Sequence, residues 1–311
     1  MAETPSVMLF PFQTIYDIGR IVQSLKYVRE RDEKGEESLQ KFHKEAERID
    51  KRDRVILKNE EERSVFEEVF DRKTLMILYD LSNADAFAYL NGVISSGKEA
   101  RVYWGVKSDG TDVAVKIYVV ASSDYKKRLQ YVDGDPRFNK IRRDSRGIAE
   151  LWARKEYVNL KQAFNAGVRV PRPLTFQGNV VVMEFIGKAG IPAPRLIDSK
   201  ATKADYTDLI KSMALIYQKA DLVHSDLSEY NVMKLEKHLI LFDFGSAVSI
   251  VHPSAEEFLK RDISNVNRFF SKRGVRVEED EEKLLAKIRG KRSKSEEDEL
   301  QMQNDEEAAL V

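Results

Sequence analysis

Residues 89–119 change the period of the chain. Apolar and polar side chains alternate in three short runs, 89–93, 101–106 and 112–119, with Gly97 and Ser108-Asp109-Gly110 at the breaks. A period of two interrupted by turn residues predicts consecutive antiparallel strands. A helix is expected next, over about 148–165, closed by Asn165-Ala166-Gly167, and then two further strands near 174–176 and 180–185. Past Gly190 and the Pro192/Pro194 stretch the pattern turns helical. Tyr206, Leu209, Ile210, Met213 and Tyr217 recur at helical spacing, and a hairpin is expected around Glu236-Lys237-His238. A last helix starting near Pro253 carries Leu259, Ile263, Val266 and Phe270. A sheet holding one helix, followed by a mostly helical half, is an α+β arrangement of two lobes.

The flanks read differently. Residues 1–64 form a charged helical arm, since 26–63 carry dense mixed charge and almost no Gly or Pro. Phe66, Phe70, Leu75, Ile77 and Leu78 predict one or two short amphipathic helices before Asn83. Residues 121–147 read as a mobile loop, and 276–311 as a charged tail, disordered or a solvated helix. The expected domain therefore runs from 65 to 275, with its lobes meeting near 185.

Composition removes several classes of function. The chain of 311 residues has no cysteine, which excludes disulfides and thiolate metal sites, and its four histidines lack zinc-ligand spacing. Lys+Arg and Asp+Glu both number 52, so net charge predicts no general affinity for nucleic acid. No apolar run approaches the roughly 20 residues that span a bilayer. The apolar patch Val7 to Phe12 lacks a basic start and a cleavage site. The expectation is a cytoplasmic protein with no membrane partner.

The chemistry-bearing residues follow one another in a definite order. Gly92-Val93-Ile94-Ser95-Ser96-Gly97-Lys98-Glu99-Ala100 joins two strands, and small residues there let backbone amides approach a phosphate, although an ordinary hairpin turn reads the same way. In Val113-Ala114-Val115-Lys116-Ile117, alternation puts Val113, Val115 and Ile117 on one face and Ala114 with Lys116 on the other. Ala114 leaves room for a flat base and Lys116 reaches phosphates; a solvent-facing lysine is the plainer alternative. In the helix that follows, Trp152, Glu156, Leu160 and Phe164 fall at steps of four, so Glu156 sits within the apolar stripe. A carboxylate there is costly unless paired, and Lys116 is its natural partner. Then comes His224-Ser225-Asp226-Leu227-Ser228-Glu229-Tyr230-Asn231, followed by Asp243-Phe244-Gly245. Asp226 suits a base or orienting group beside an attacking oxygen, while Asn231 and Asp243 offer hard oxygen ligands to magnesium. His224 reads as a structural brace.

Together these residues resemble the protein kinase-like fold, and more narrowly the type-one branch of the RIO family of atypical serine/threonine kinases. The resemblance rests on Ser95 to Ala100, Lys116, Glu156, His224 to Asn231 and Asp243, with Val69 to Leu75 and His252 to Phe270 matching that branch. It implies ATP and Mg2+ as cofactors, with Mn2+ as an alternative ion. It implies Ser95 and Lys98 near phosphates, Lys116 paired with Glu156, Asp226 as the catalytic aspartate, and Asn231 and Asp243 as metal ligands. Backbone groups of Glu184 and Ile186 would hold adenine, and Ser145 matches the family's autophosphorylation site. Two departures from ordinary protein kinases stand out. Ser225 replaces the arginine before the aspartate, and only the nine residues 244–252 separate Asp243 from Pro253, too few for a peptide-docking segment.

Three activities remain open on these residues. The first is a serine/threonine kinase that phosphorylates itself and acts in maturation of the small ribosomal subunit. The second is an ATPase switch timing binding to and release from an rRNA-containing precursor particle, with Lys287, Arg289, Lys291, Arg292 and Lys294 offered to phosphates. The third is a small-molecule phosphotransferase on the related fold.

Overall fold

A computed structural model describes residues 71–120, 129–138, 142, 144–278 and 280–290. The expectations for the arm at 1–64, for Phe66 and Phe70, and for the tail beyond 290 lie outside the described residues.

The first described helix, α1 (Arg72–Asn83), starts where Asp71 caps it by accepting from the Thr74 amide. Strands β1 (Tyr89–Ser96), β2 (Ala100–Val106), β3 (Asp112–Tyr118), β4 (Pro173–Gln177) and β5 (Val180–Glu184) build an antiparallel sheet in the order β1-β2-β3-β5-β4. The first strand runs on to Ser96 with two register irregularities, so the turn is shorter than the sequence implied, and Gly97 closes it by donating to the Ala100 carbonyl. Alternation divides the sheet as expected. Val113, Val115 and Ile117 join Leu78, Leu81 and Phe87 in one buried cluster, while Ala114 and Met183 face the other way into the larger core.

That larger core is built on α2 (Ser145–Asn165), which packs beside the sheet. The helix begins three residues before the expected start, because Asp144 caps it by accepting from the Gly147 amide (2.6 Å). Gly147 is not a breaker here. A Cβ at that position would lie 2.4 Å from the Arg142 carbonyl oxygen, a close approach that only glycine permits. The loop reading of 121–147 is corrected at this end and again at 129–138, where a 3-10 turn (Pro136–Phe138) buries Tyr131, Val132, Asp135 and Phe138.

One small hairpin, β6 (Gly187–Lys188) with β7 (Ile191–Pro192), leads into the helical lobe. This lobe holds α3 (Lys203–Lys219), β8 (Leu222–Val223), β9 (Val232–Leu235), β10 (His238–Leu241), β11 (Val248–Ser249) and α4 (Ala255–Lys272). The strands pair as β9 with β10 and β8 with β11, antiparallel in both cases. Thr202 and Asp205 close a reciprocal capping box on α3. The last of these helices starts at Ala255 with Ser254 in the capping position, so Pro253 precedes the helix rather than opening it.

The charged tail is also corrected over its first part. Residues Glu281–Arg289 form α5, capped by Asp280, and Leu284, Leu285 and Ile288 are buried in the main core. Gln218 of α3 donates to the Ile288 carbonyl (2.8 Å), and Arg289 pairs with Glu256 of α4 (2.9 Å). Arg289 is therefore engaged within the fold rather than offered outward. Ile288→Ala should cost about 2–5 kcal/mol. Urea denaturation of the variant checks this, since a solvated tail would give no loss.

Candidate active site

A cleft of about 510 Å³ opens between the sheet and the helical lobe, and most of the residues singled out above line it. Ser95 contributes from the end of β1, Gly97 and Lys98 from the β1–β2 turn, Ala114 and Lys116 from β3, and Glu156 with Trp152 from α2. Met183, Glu184, Phe185 and Ile186 line it where the chain crosses from sheet to lobe, and Met233, Phe242 and Asp243 line it from below. Ser95 and Lys98 are exposed; Lys116 and Glu156 are buried.

Lys116 joins two carboxylates. Its Nζ donates to Glu156 Oε2 (2.5 Å) and to Asp243 Oδ1 (2.9 Å), and the Tyr118 hydroxyl donates to the same Glu156 oxygen. Burial works against the ammonium, but Asp243 and Glu156 outweigh it and hold Lys116 above the ordinary lysine range. Burial raises the Glu156 carboxyl above its usual range, with Lys116 pulling against it. Asp243 adopts a left-handed backbone (φ 65°) at the mouth of a 3-10 turn (Phe244–Ser246), an uncommon conformation for a non-glycine residue.

Asp226 and Asn231 are not among the lining residues, and the loop itself joins them. Asn231 Nδ2 donates to the Asp226 carbonyl (2.8 Å) and lies 3.4 Å from its carboxylate. With its nitrogen so committed, the amide offers its oxygen to a cation. The Phe242 amide donates to the Asn231 carbonyl (3.1 Å), and His224 Nε2 donates to the Phe242 carbonyl (3.2 Å). These two bonds tie the Asp226 loop to the residue just before Asp243. His224 is buried with its ring tilted against Phe244 (centroids 4.7 Å apart), and burial pulls its pKa below the ordinary value while Asp226 opposes. It braces the loop in the neutral form.

Reading the sequence missed the group beneath this loop. Asp262 of α4, 1% exposed, accepts from the amides of Ser225 (2.8 Å) and Leu227 (2.9 Å), the residues on either side of Asp226. Arg261 donates to the Ser225 carbonyl. Ser225 also has a left-handed backbone (φ 65°), so side chains from α4 hold this strained residue on both its amide and its carbonyl. Burial pushes Asp262 up to about 7, against the pull of those two amides. The signal was present: Asp262 lies between Leu259 and Val266 in the apolar stripe, the pattern that exposed Glu156.

The crossing segment has its own commitments. The Glu184 amide donates to the Arg172 carbonyl (2.9 Å), and the Ala193 amide donates to the Ile186 carbonyl (2.9 Å). Ser145, expected in a mobile loop, is instead the exposed first residue of α2 and does not line the cleft.

The RIO domain model matches residues 101–284. The chain is 40% identical over 228 residues to the RIO-type serine/threonine-protein kinase Rio1 of Haloferax volcanii, covering 73% of this chain and 79% of that protein. The chain belongs to the RIO family of serine/threonine kinases. The Rio1 kinase of Methanocaldococcus jannaschii is 39% identical, with 67% of this chain and 72% of the relative covered. Human RIO1 is 37% identical over 72% of this chain, but the match spans only 41% of the human protein. A crystal structure of the Rio2 kinase–ADP/Mg2+–phosphoaspartate complex from Chaetomium thermophilum superposes with a TM-score of 0.54 at 16% identity, covering 97% of this chain and 98% of that one, which is a likeness of fold. An antiparallel sheet carrying one main helix above a helical lobe is the RIO kinase architecture seen here. Among the described residues no helix is long and apolar enough to cross a membrane.

Proposed function

We propose that this RIO kinase binds ATP with Mg2+ in the cleft and transfers the γ-phosphoryl group to serine or threonine, its own chain included. The observation carrying this reading is the bridge from Lys116 to both Glu156 and Asp243 at hydrogen-bond distance. Phosphoryl transfer depends on electrostatic positioning, and it needs a lysine fixed on phosphate and an aspartate fixed on metal at the same time. A buried lysine already held between a helix carboxylate and Asp243 supports both.

The residue roles follow by chemistry. Ala114, Met183, Ile186 and Met233 supply an apolar slot for adenine, and the Glu184 carbonyl with the Ile186 amide are the complementary groups for its edge. Ser95 at the end of β1 and Lys98 on the turn after it would cover the phosphates. The Asn231 amide oxygen and the Asp243 carboxylate form a hard-oxygen pair suited to Mg2+, which would neutralise phosphate charge when bound. Asp226 would accept hydrogen-bonding from the incoming hydroxyl and orient it.

A second reading has its own support. The nine residues after Asp243 are used up by the 3-10 turn, by β11 pairing with β8, and by the approach to α4, leaving no platform for an extended peptide. That favours an ATP-driven switch whose output is release from a small ribosomal subunit precursor, with transient transfer to Asp243. Intact-mass analysis after a single turnover separates the two. The kinase reading expects acid-stable phosphate on a serine, with Ser145 the first site to check by Ser145→Ala. Free phosphate alone, or a hydroxylamine-labile acyl phosphate, would decide for the switch.

A further inference from the structure

One residue before Glu156, α2 buries a second charge that the cleft does not use. Lys155 is fully buried. Its Nζ donates to the Ala247 carbonyl, lies 3.6 Å from Asp135 Oδ2, and sits over the Phe138 ring at 5.0 Å. Asp135, equally buried, takes both arms of Arg137 (2.9 and 2.7 Å). Arg137 in turn donates to Asn159 Oδ1 (2.9 Å) and to Gln162 (3.1 Å), one and two turns further along the same helix. Asn159 Nδ2 donates to the carbonyls of Phe244 (3.0 Å) and Ala247 (2.8 Å), both in the turn that follows Asp243.

Three separate stretches of chain thus meet in one satisfied polar network: residues 135–138, one face of α2, and residues 244–247. The first of these is itself anchored at its outer end. His252 Nε2 donates to the Asp133 carbonyl (3.0 Å), and Arg261, which donates to the Ser225 carbonyl, also donates to the Tyr131 hydroxyl (3.2 Å). A buried cation is retained only where it is paired and hydrogen-bonded, so the network has one low-energy arrangement and strongly penalises sliding of α2.

In protein kinases generally, the lysine–glutamate pair and the metal-binding aspartate must be in place together, and control of helix position by a phosphorylated activation segment achieves this. In this chain only residues 244–252 lie between Asp243 and Pro253. We propose that residues 131–138 form a built-in clamp that locks α2 to the turn after Asp243, with Asp135, Lys155 and Asn159 acting as positioning residues for Lys116, Glu156 and Asp243. The clamp substitutes for an activation segment, and the kinase is held in its working geometry without a prior phosphorylation. The proposal rests on the nucleotide reading of the cleft.

The test compares full-length Asn159→Leu, Asp135→Asn and Asp135→Asn/Lys155→Met with wild type and with Asp226→Ala. The readouts are single-turnover autophosphorylation, kcat, the KM for ATP, and Tm. Asn159→Leu removes both tethers to residues 244–247 and the bond that Arg137 gives to Oδ1. It should lower Tm, because buried polar groups lose their partners, and lower kcat by about 10²-fold, as a misplacement of an ångström does, while KM moves little. Asp135→Asn should lower both Tm and kcat, because it leaves the buried Arg137 guanidinium and Lys155 ammonium without their anion. The double variant should regain part of the lost Tm, since the Lys155 ammonium is gone and only the Arg137 guanidinium still lacks its anion, and yet keep the low kcat. Wild-type kcat in Asn159→Leu and in the double variant, or kcat recovering in step with Tm, would overturn the clamp. If one of these variants does not fold, kcat of the other decides. If Asp226→Ala retains the wild-type rate, the nucleotide reading fails and takes the clamp with it. If Asp226→Ala is inactive while the clamp variants are fully active, the clamp alone fails.

Discussion

Lys116→Met should lower kcat by about 10²–10³-fold, the usual loss when one fixed electrostatic contact to the reacting groups is removed. It should also destabilise the fold by about 3–5 kcal/mol, because Glu156 is left buried without its cation. Glu156 is 1% exposed, and the only cation within ion-pairing distance of it among the described residues is Lys116. The pH dependence gives the sign. In the wild type the raised pKa of Lys116 means that the pair's contribution is fully present below the unfolded lysine value and lost as pH rises through the folded one. In the variant the Glu156 carboxyl, already raised by burial, rises further. Its contribution is then present below the ordinary carboxylate range and lost as pH increases through its folded pKa. The Tm deficit of Lys116→Met should therefore shrink as pH falls toward 4 and widen toward neutrality. A deficit independent of pH would show that Glu156 reaches water or another partner.

Asp262→Asn should lower kcat by more than tenfold and stability by about 1–3 kcal/mol, with ATP affinity unchanged. The substitution keeps the volume but puts an NH2 where an oxygen accepted, so either the Ser225 or the Leu227 amide loses its partner in a buried site. Those amides flank Asp226, and Ser225 holds a strained backbone that it has no reason to keep once released. The expected defect is a loss of orientation at Asp226 rather than a loss of nucleotide binding, because neither Asp262 nor the two residues whose amides it holds line the cleft. Measuring kcat beside the ATP dissociation constant separates the two. Equal losses in both would mean that the lobe as a whole has loosened.

What could be read in the sequence was what a local period reports. The alternation of 112–119 gave the faces of β3, and with them the placing of Ala114 and Lys116 in the cleft. A carboxylate inside an apolar stripe gave Glu156, and the same reasoning applied to Leu259-x-x-Asp262 would have given Asp262. The failures have a common cause. Asp135 and Arg137 pair two residues apart, but they are buried only where Lys155 and Asn159 of α2 meet them, and no local pattern distinguishes these charges from solvated ones. For α5, Leu284, Leu285 and Ile288 are three apolar residues among many charges, and only the surface offered by α3 and α4 turns them into core. At α2 the Asp144 cap was overlooked because Gly147 reads as a breaker, whereas here it lets the helix start pass close to the Arg142 carbonyl.

The central claim is that Lys116, Glu156, Asp226, Asn231 and Asp243 act as one Mg2+-dependent phosphoryl-transfer site. Single-turnover incubation of wild type and Asp226→Ala with labelled ATP and Mg2+, with nucleotide binding measured in parallel, tests it most directly. The account predicts that both proteins bind nucleotide and that only the wild type transfers label. Equal labelling of the two would contradict it.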